Sequence, residues 1–174
     1  NIKIESLSGN ETAGLNVSQV IPGLRDSLDL SFKSLDQIDF NNIDFIFSCL
    51  PHAELQSNFS KLPNNIKLID LSADFRLKDS QDYNKWYGFN HNHPKKLNEF
   101  IYGLTEFNRE KIKAAKYIAN PGCYPTSILM PLIPLLRNKI ISGDNIIIDS
   151  KSGYSGAGKS KKTENIFAEV NENI

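Results

Sequence analysis

An excess of charge of either sign is missing from this sequence: twenty Lys and Arg are matched by twenty Asp and Glu. Without a net field, nothing draws nucleic acid or an anionic membrane to the chain. Long apolar runs are missing too. The longest, Ser127–Leu136, is interrupted by Pro131 and Pro134 and falls short of the ~20 residues of a membrane span. Cysteine is scarce. Cys49 and Cys123 lie in unlike surroundings, which excludes a disulfide framework and fits a reducing, cytoplasmic compartment. The opening Asn1-Ile2-Lys3-Ile4-Glu5 has none of the three regions of a signal peptide. A metal signature is absent as well, because His91-Asn92-His93-Pro94 brings two histidines without Cys or acidic partners. It reads as a surface loop.

What is present is ordinary globular material, 40% hydrophobic and 23% charged over 174 residues, enough for one core or one domain and part of a second. Short apolar runs ending in turn residues predict strands at Ile2–Leu7, Asp44–Ser48, Ile66–Leu71, Tyr117–Ala119 and Asn145–Asp149. Phe45–Phe47 and Ile146–Ile148 are continuous rather than alternating, the pattern of parallel strands covered on both faces. Helices are expected at His52–Phe59, at Asn108–Ala115 with Asn108 as its cap, and at Pro125–Asn138. Pro131 and Pro134 inside the last one predict a bend or an early end. Lys78–Phe100 reads as a long polar surface loop. Alternating strands and helices argue for an α/β sheet. The chain starts in a strand-like segment without an initiator Met and stops in mid-pattern, so it reads as a fragment.

Ala119-Asn120-Pro121-Gly122-Cys123-Tyr124-Pro125-Thr126 carries the most chemistry. A strand ends, Pro121-Gly122 turns, and Cys123 arrives just before Pro125 opens a helix. Unpaired backbone N–H groups and the positive end of the helix dipole there lower a thiol pKa and can hold an oxyanion. The alternative is a small buried cysteine with no chemistry. Cys49, at the end of an apolar strand, reads as structural. Asp70, Ser72, Asp74 and Arg76 follow one strand; Asp70 is able to cap the turn, and Asp74 and Arg76 to form an ion pair.

Asn120–Thr126 resembles the active-site motif of the N-acetyl-gamma-glutamyl-phosphate reductases. Leu50-Pro51-His52, Asp70–Leu77, Lys85–Gly88, Tyr102–Glu106, Lys151–Gly158 and Phe167–Asn173 resemble the same family in the same order. The resemblance implies a Rossmann-type dinucleotide-binding domain over residues 1–121 and the start of an α+β catalytic and dimerisation domain over 122–174. It implies a cysteine nucleophile at Cys123, with Asn120, Tyr124, Ser72 and Arg76 lining the oxyanion and substrate site. Arg76 would grip a substrate carboxylate or phosphate by two parallel hydrogen bonds. Leu50, Pro51 and His52 would border the cofactor, as would Ser152, Ser155, Gly156 and Gly158. The implied reaction is reduction of N-acetylglutamyl phosphate by NADPH, in a homo-oligomer. The aspartate-semialdehyde dehydrogenases and a lysine-pathway reductase share this chemistry. None of His52, His91 or His93 matches the family's acid/base histidine, which is expected beyond Ile174, and the glycine-rich loop is expected before Asn1. The 174-residue piece alone is therefore expected to be inactive.

Two segments leave alternatives. Gly153–Ser160 also fits a phosphate-binding P-loop, but Lys161–Asn165 is too polar for the apolar helix such a loop needs, and an NTPase explains nothing about Cys123. Near the start, Ser8 and Thr12 follow the first strand, where a dinucleotide's adenine ribose is met. Their hydroxyls suit the 2′-phosphate of NADP(H), whereas Glu11 would suit a free 2′-hydroxyl.

Overall fold

The computed structural model describes residues 2–153 and Gly156. Among these, six strands form: β1 (Leu7–Ser8), β2 (Phe32–Lys33), β3 (Phe45–Ser48), β4 (Lys67–Asp70), β5 (Phe100–Tyr102) and β6 (Tyr117–Ala119). β1 pairs with β2, and the rest make a sheet in the order β3-β4-β6-β5. Every ladder is parallel, so each chain crossing must leave and return by another element. Five helices serve: α1 (Val17–Val20), α2 (Glu54–Asn58), α3 (Ser80–Tyr87), α4 (Thr105–Ala114) and α5 (Cys123–Arg137).

The register brings Ser48, Asp70, Ala119 and Tyr102 into one row at the carboxyl ends of the four strands. Beyond that row lie Cys49, Leu71, Asn120 and Gly103. In open parallel sheets this edge is where ligands bind.

Phe75, Tyr83, Leu97, Phe100 and Tyr117 build the centre of the core with Leu68, Leu55 and Phe59. Phe75 stacks on Phe100 with ring centroids 3.9 Å apart, and Phe100 on Tyr117 at 5.0 Å. The expected surface loop over Lys78–Phe100 is thus corrected. It holds α3 and a 3-10 stretch at Pro94–Glu99, and it buries Tyr83, Leu97 and Phe100. The error is one of periodicity: single apolar residues spaced among polar ones pack inward without making a readable stripe. His91 is part of the same correction. It is 8% exposed, with Nε2–H donating to the Asp74 carbonyl at 2.7 Å and Nδ1 accepting from the His93 amide at 3.0 Å.

Other expectations shift. Ile2–Ser6 is not in a strand, and Asn145–Asp149 pairs with nothing among the described residues. Ile147 is 95% exposed; a strand is stable only with a neighbour to take its backbone groups. β3 is likewise uncovered on one face, with Phe45 and Phe47 exposed, against the two-sided burial its continuous pattern predicted. α4 starts at Thr105 and is kinked at Asn108, whose backbone is non-helical at φ −124°; the Asn108 side chain donates to the Tyr102 carbonyl at 3.0 Å rather than accepting as a cap. α5 runs through Pro131 and Pro134 without ending.

Candidate active site

α5 opens at Cys123 itself, with Gly122 as its cap and Pro125 in the third helical position rather than the first. That shift matters chemically. The first turn of a helix leaves its N–H groups unpaired; Pro125 has none to offer, and Thr126 donates to the Gly122 carbonyl at 3.0 Å. The amides of Cys123 and Tyr124 remain, without a partner among the described residues. Cys123 is exposed. Cys49 is exposed as well.

The turn before Cys123 is pinned from two sides. The Asn120 amide donates to the Asp70 carbonyl at 2.8 Å, and the Asn120 carbonyl accepts from Arg76 Nε at 2.8 Å. Arg76 Nη2 donates to the Leu71 carbonyl at 2.8 Å. Nε and Nη2 thus each hold a backbone carbonyl, while Nη1 has no hydrogen-bond partner among the described residues. The Asn120 side chain donates to its neighbour's carbonyl, Pro121, at 3.1 Å. Tyr124 stands exposed beside Cys123.

Segment 70–76 is buried and internally bonded. Asp70 accepts from the Ser72 amide and hydroxyl, both at 2.9 Å, which is the capping role its position suggested. Burial raises its carboxyl to about 6, against the opposing pull of the Ser72 hydrogen bonds. The Ser72 hydroxyl also accepts from the Asp74 amide at 3.1 Å, and Ser72 is 2% exposed. Its hydroxyl is therefore bonded on both sides within the segment. Asp74 and Arg76 form no ion pair. The Asp74 carboxylate instead caps α2, accepting from Ala53 N at 2.6 Å and Gln56 N at 3.0 Å.

On the other side of that segment, Leu50-Pro51-His52 leave the end of β3. His52 Nδ1 accepts from the Ala73 amide at 3.0 Å, so its proton sits on Nε2, on an exposed ring. Ser8 is exposed at the end of β1, and the Thr12 hydroxyl lies against Gly9 where a side chain would otherwise stand. Among the described residues Ser152 has the local contacts of a turn, donating to the Gly153 carbonyl at 3.2 Å, and Gly156 closes the same turn. Ser155 and Gly158 lie outside the described residues. The chain reaches this loop by returning along α5: the Ser127 and Ser150 hydroxyls are 2.9 Å apart. Ser127, four residues on from Cys123, shares its face of the helix. No group of three or more metal-ligating side chains occurs among the described residues.

Sequence reasoning overlooked the roles of Asp74 and Ala73 in fixing the α2 end. Asp74 was visible as an acidic residue near a strand end, but its partner lies 21 residues earlier, beyond any local pattern.

A parallel sheet whose carboxyl edge meets an exposed cysteine at a helix start defines an α/β protein of the Rossmann type, with a thiol at the ligand edge. Residues 1–115 match the semialdehyde dehydrogenase NAD-binding domain, and residues 123–174 the semialdehyde dehydrogenase dimerisation domain. The chain belongs to the semialdehyde dehydrogenase family. It is 44% identical, over 99% of its length, to the probable chloroplastic N-acetyl-gamma-glutamyl-phosphate reductase of Oryza sativa subsp. japonica, covering 41% of that protein. It is 45% identical over 99% of its length to the N-acetyl-gamma-glutamyl-phosphate reductase of Ehrlichia canis, covering 50% of it. For the enzyme of the same name from Paracoccus denitrificans the figures are 42%, 99% and 51%. The chain spans about half the length of the curated relatives it matches. No described helix is long and apolar enough to cross a membrane.

Proposed function

We propose that the protein carrying this chain reduces N-acetyl-L-glutamyl 5-phosphate to N-acetyl-L-glutamate 5-semialdehyde and phosphate, using NADP(H), in arginine biosynthesis. The observation that carries the reading is Cys123 at the first position of α5, exposed, with the Cys123 and Tyr124 amides unpaired beside it. The identities of 42–45% to reductases of that name support the substrate.

Cys123 stands at the helix start, and its sulfur is the nucleophile in this reading. The thiolate attacks the acyl carbon, and the two amides carry the negative charge that develops on the carbonyl oxygen. The bond to the phosphate oxygen breaks, phosphate departs, and a thioester remains on Cys123. NADPH, when bound, supplies the hydride that takes the acyl group to the aldehyde level. Cys123 then leaves as thiolate. Asn120 and Tyr124 flank the reacting carbon in this reading.

The donor set fits a dinucleotide. The ends of β1 and β3 present the exposed Ser8 hydroxyl, Thr12 over Gly9, and His52 with its Nε2–H outward. Leu50, Pro51 and His52 would hold the cofactor on one side, and Ser152, Ser155, Gly156 and Gly158 would border it on the other. The resemblance implies an acid/base histidine in a family motif that none of His52, His91 or His93 matches. We assign residues 1–121 to the dinucleotide domain and 122–174 to the catalytic and dimerisation domain, the protein to a homo-oligomer, and its location to the cytoplasm.

The test is phosphate-dependent reduction of NADP by the full-length protein with N-acetylglutamate semialdehyde, run beside aspartate semialdehyde. Turnover of the acetylated substrate supports the proposal. Turnover of the other aldehyde alone moves the enzyme to a sister pathway.

A further inference from the structure

β1 and β2 end side by side. Ser8 is the last residue of one and Lys33 the last of the other, and the two are register partners in a parallel ladder. Leu7 and Phe32, one residue earlier, are half-buried, whereas Ser8 and Lys33 are exposed. Side chains alternate between the two faces of a strand, so the hydroxyl and the ammonium share one face at this edge. The ion pairs among the described residues join other lysines, and Lys33 has no ion-pair partner there.

The turn over residues 10–14 is tied to the same strand end. The Gly9 amide donates to the Lys33 carbonyl at 3.0 Å, and the Gly14 amide to the Phe32 carbonyl at 2.8 Å. Between these anchors the amides of Asn10, Glu11 and Thr12 have no partner among the described residues. The Thr12 side chain folds back onto Gly9, where an added Cβ would collide with its hydroxyl. Glycine at that position is what lets the hydroxyl reach the strand end.

Two hydroxyls, three unpaired amides and one cation thus lie together where β1 and β2 end. Successive free amides in a turn make a concavity for an anion, and an ammonium binds phosphate as a point charge. A Rossmann-type fold meets the adenine ribose of its dinucleotide at such a strand end. A carboxylate there accepts from a free 2′-hydroxyl, and a nearby cation accommodates a 2′-phosphate. Glu11 is the carboxylate in the turn. Lys33 is the cation, and it comes from the neighbouring strand.

We infer that Lys33 sets the choice of NADP(H) over NAD(H), its ammonium binding the 2′-phosphate of the adenine ribose beside the Ser8 and Thr12 hydroxyls. The inference rests on the reading of this chain as part of an NADP(H)-dependent enzyme and names the residue that discriminates. Lys33 gives only backbone atoms to the hydrogen bonds above, so its substitution removes none of them.

The experiment uses the full-length protein as wild type, Lys33→Met and Lys33→Arg. NADPH and NADH are titrated separately by nicotinamide fluorescence, and adenosine 2′,5′-bisphosphate and AMP by calorimetry, at low and high salt without substrate. Lys33→Met should weaken NADPH and the bisphosphate about tenfold or more, with NADH and AMP changed less than about twofold. Lys33→Arg keeps the charge and should stay within about threefold of wild type for NADPH. Added salt should weaken NADPH binding more in the wild type than in Lys33→Met. In a wild type that prefers NADPH, an equal loss for both nucleotides in Lys33→Met, or no loss for either, would overturn the inference. A loss in Lys33→Arg as large as that in Lys33→Met would overturn it as well. Wild-type protein that binds NADH as tightly as NADPH would instead overturn the NADP(H) reading, and the inference with it. None of these readouts needs turnover, so a wrong choice of acyl substrate leaves them unchanged.

Discussion

The carboxylate of Asp74, beyond β4, caps the helix that follows the neighbouring strand β3, its two oxygens 2.6 Å and 3.0 Å from the amides of Ala53 and Gln56. Ala53 sits in the left-handed region at φ 69°, a conformation that costs a non-glycine residue about 1 kcal/mol or more and needs outside support. Asp74 supplies it. Both Asp74 and Gln56 are buried, so removing the acceptor strands donors that water does not reach easily. Asp74→Ala is expected to destabilise the full-length protein by about 2–4 kcal/mol and to weaken NADP(H) binding through the adjacent Leu50–His52 turn. Asp74→Asn, with one accepting oxygen instead of two, should fall between. Urea unfolding and cofactor titration by fluorescence check this; a stable Asp74→Ala variant would contradict it.

Two buried groups oppose each other in their response to acid. Asp70 is raised by burial to about 6 from an ordinary 3.8. Its folded form binds a proton more readily than the unfolded chain, so its contribution favours folding below pH 4 and is lost as pH rises through about 6, a difference of roughly 3 kcal/mol. His91 is lowered by burial from its usual 6.5. Its contribution is present above that value and is lost as pH falls. The two contributions therefore oppose each other as the pH changes. Asp70→Asn removes the first and leaves the second, so its melting temperature should fall toward pH 4 more steeply than that of the wild type. Parallel curves would show that Asp70 ionises as in an open chain.

Gly103 is required for space, not for an unusual φ. A Cβ there would stand 3.0 Å from Ile118 Cγ2, 3.2 Å from the Ala119 carbonyl and 3.3 Å from Pro121 Cδ. The end of β5 thus presses on the turn that leads to Cys123. Gly103→Ala should cost about 1–3 kcal/mol by overpacking and lower kcat by displacing Pro121. An unchanged urea midpoint would mean that the turn yields freely.

These relationships divide into what short-range pattern carries and what it does not. Phe45–Ser48, Lys67–Asp70 and Tyr117–Ala119 were legible as strands because apolar runs bounded by turn residues are local signals. Cys123 was legible because strand, Pro-Gly turn and helix start follow in one motif. The 78–100 segment was not, since Tyr83 and Leu97 are buried in a cluster with Leu68, Phe75 and Tyr117 from other parts of the chain, and His91 packs on Phe75. Ile146–Ile148 failed for the opposite reason: its residues suit a strand, but no described neighbour pairs with it. The commitments of Ser72 and Arg76 to internal partners are equally invisible in a motif, which records residue types and not which of their hydrogen bonds are already taken.

Cys123→Ser tests the nucleophile most directly. The hydroxyl keeps the shape of the site but is far weaker as a nucleophile near neutral pH, because the helix start does not bring a serine within reach of ionisation. In the full-length protein kcat should fall about 10³-fold or more, with NADP(H) affinity changed less than about twofold, since the thiol is not among the proposed cofactor contacts. The isolated 174-residue chain, which keeps Cys123 but covers 41–51% of the reductases named above, should show no reductase activity. Turnover of the acetylated aldehyde by the isolated chain would contradict this.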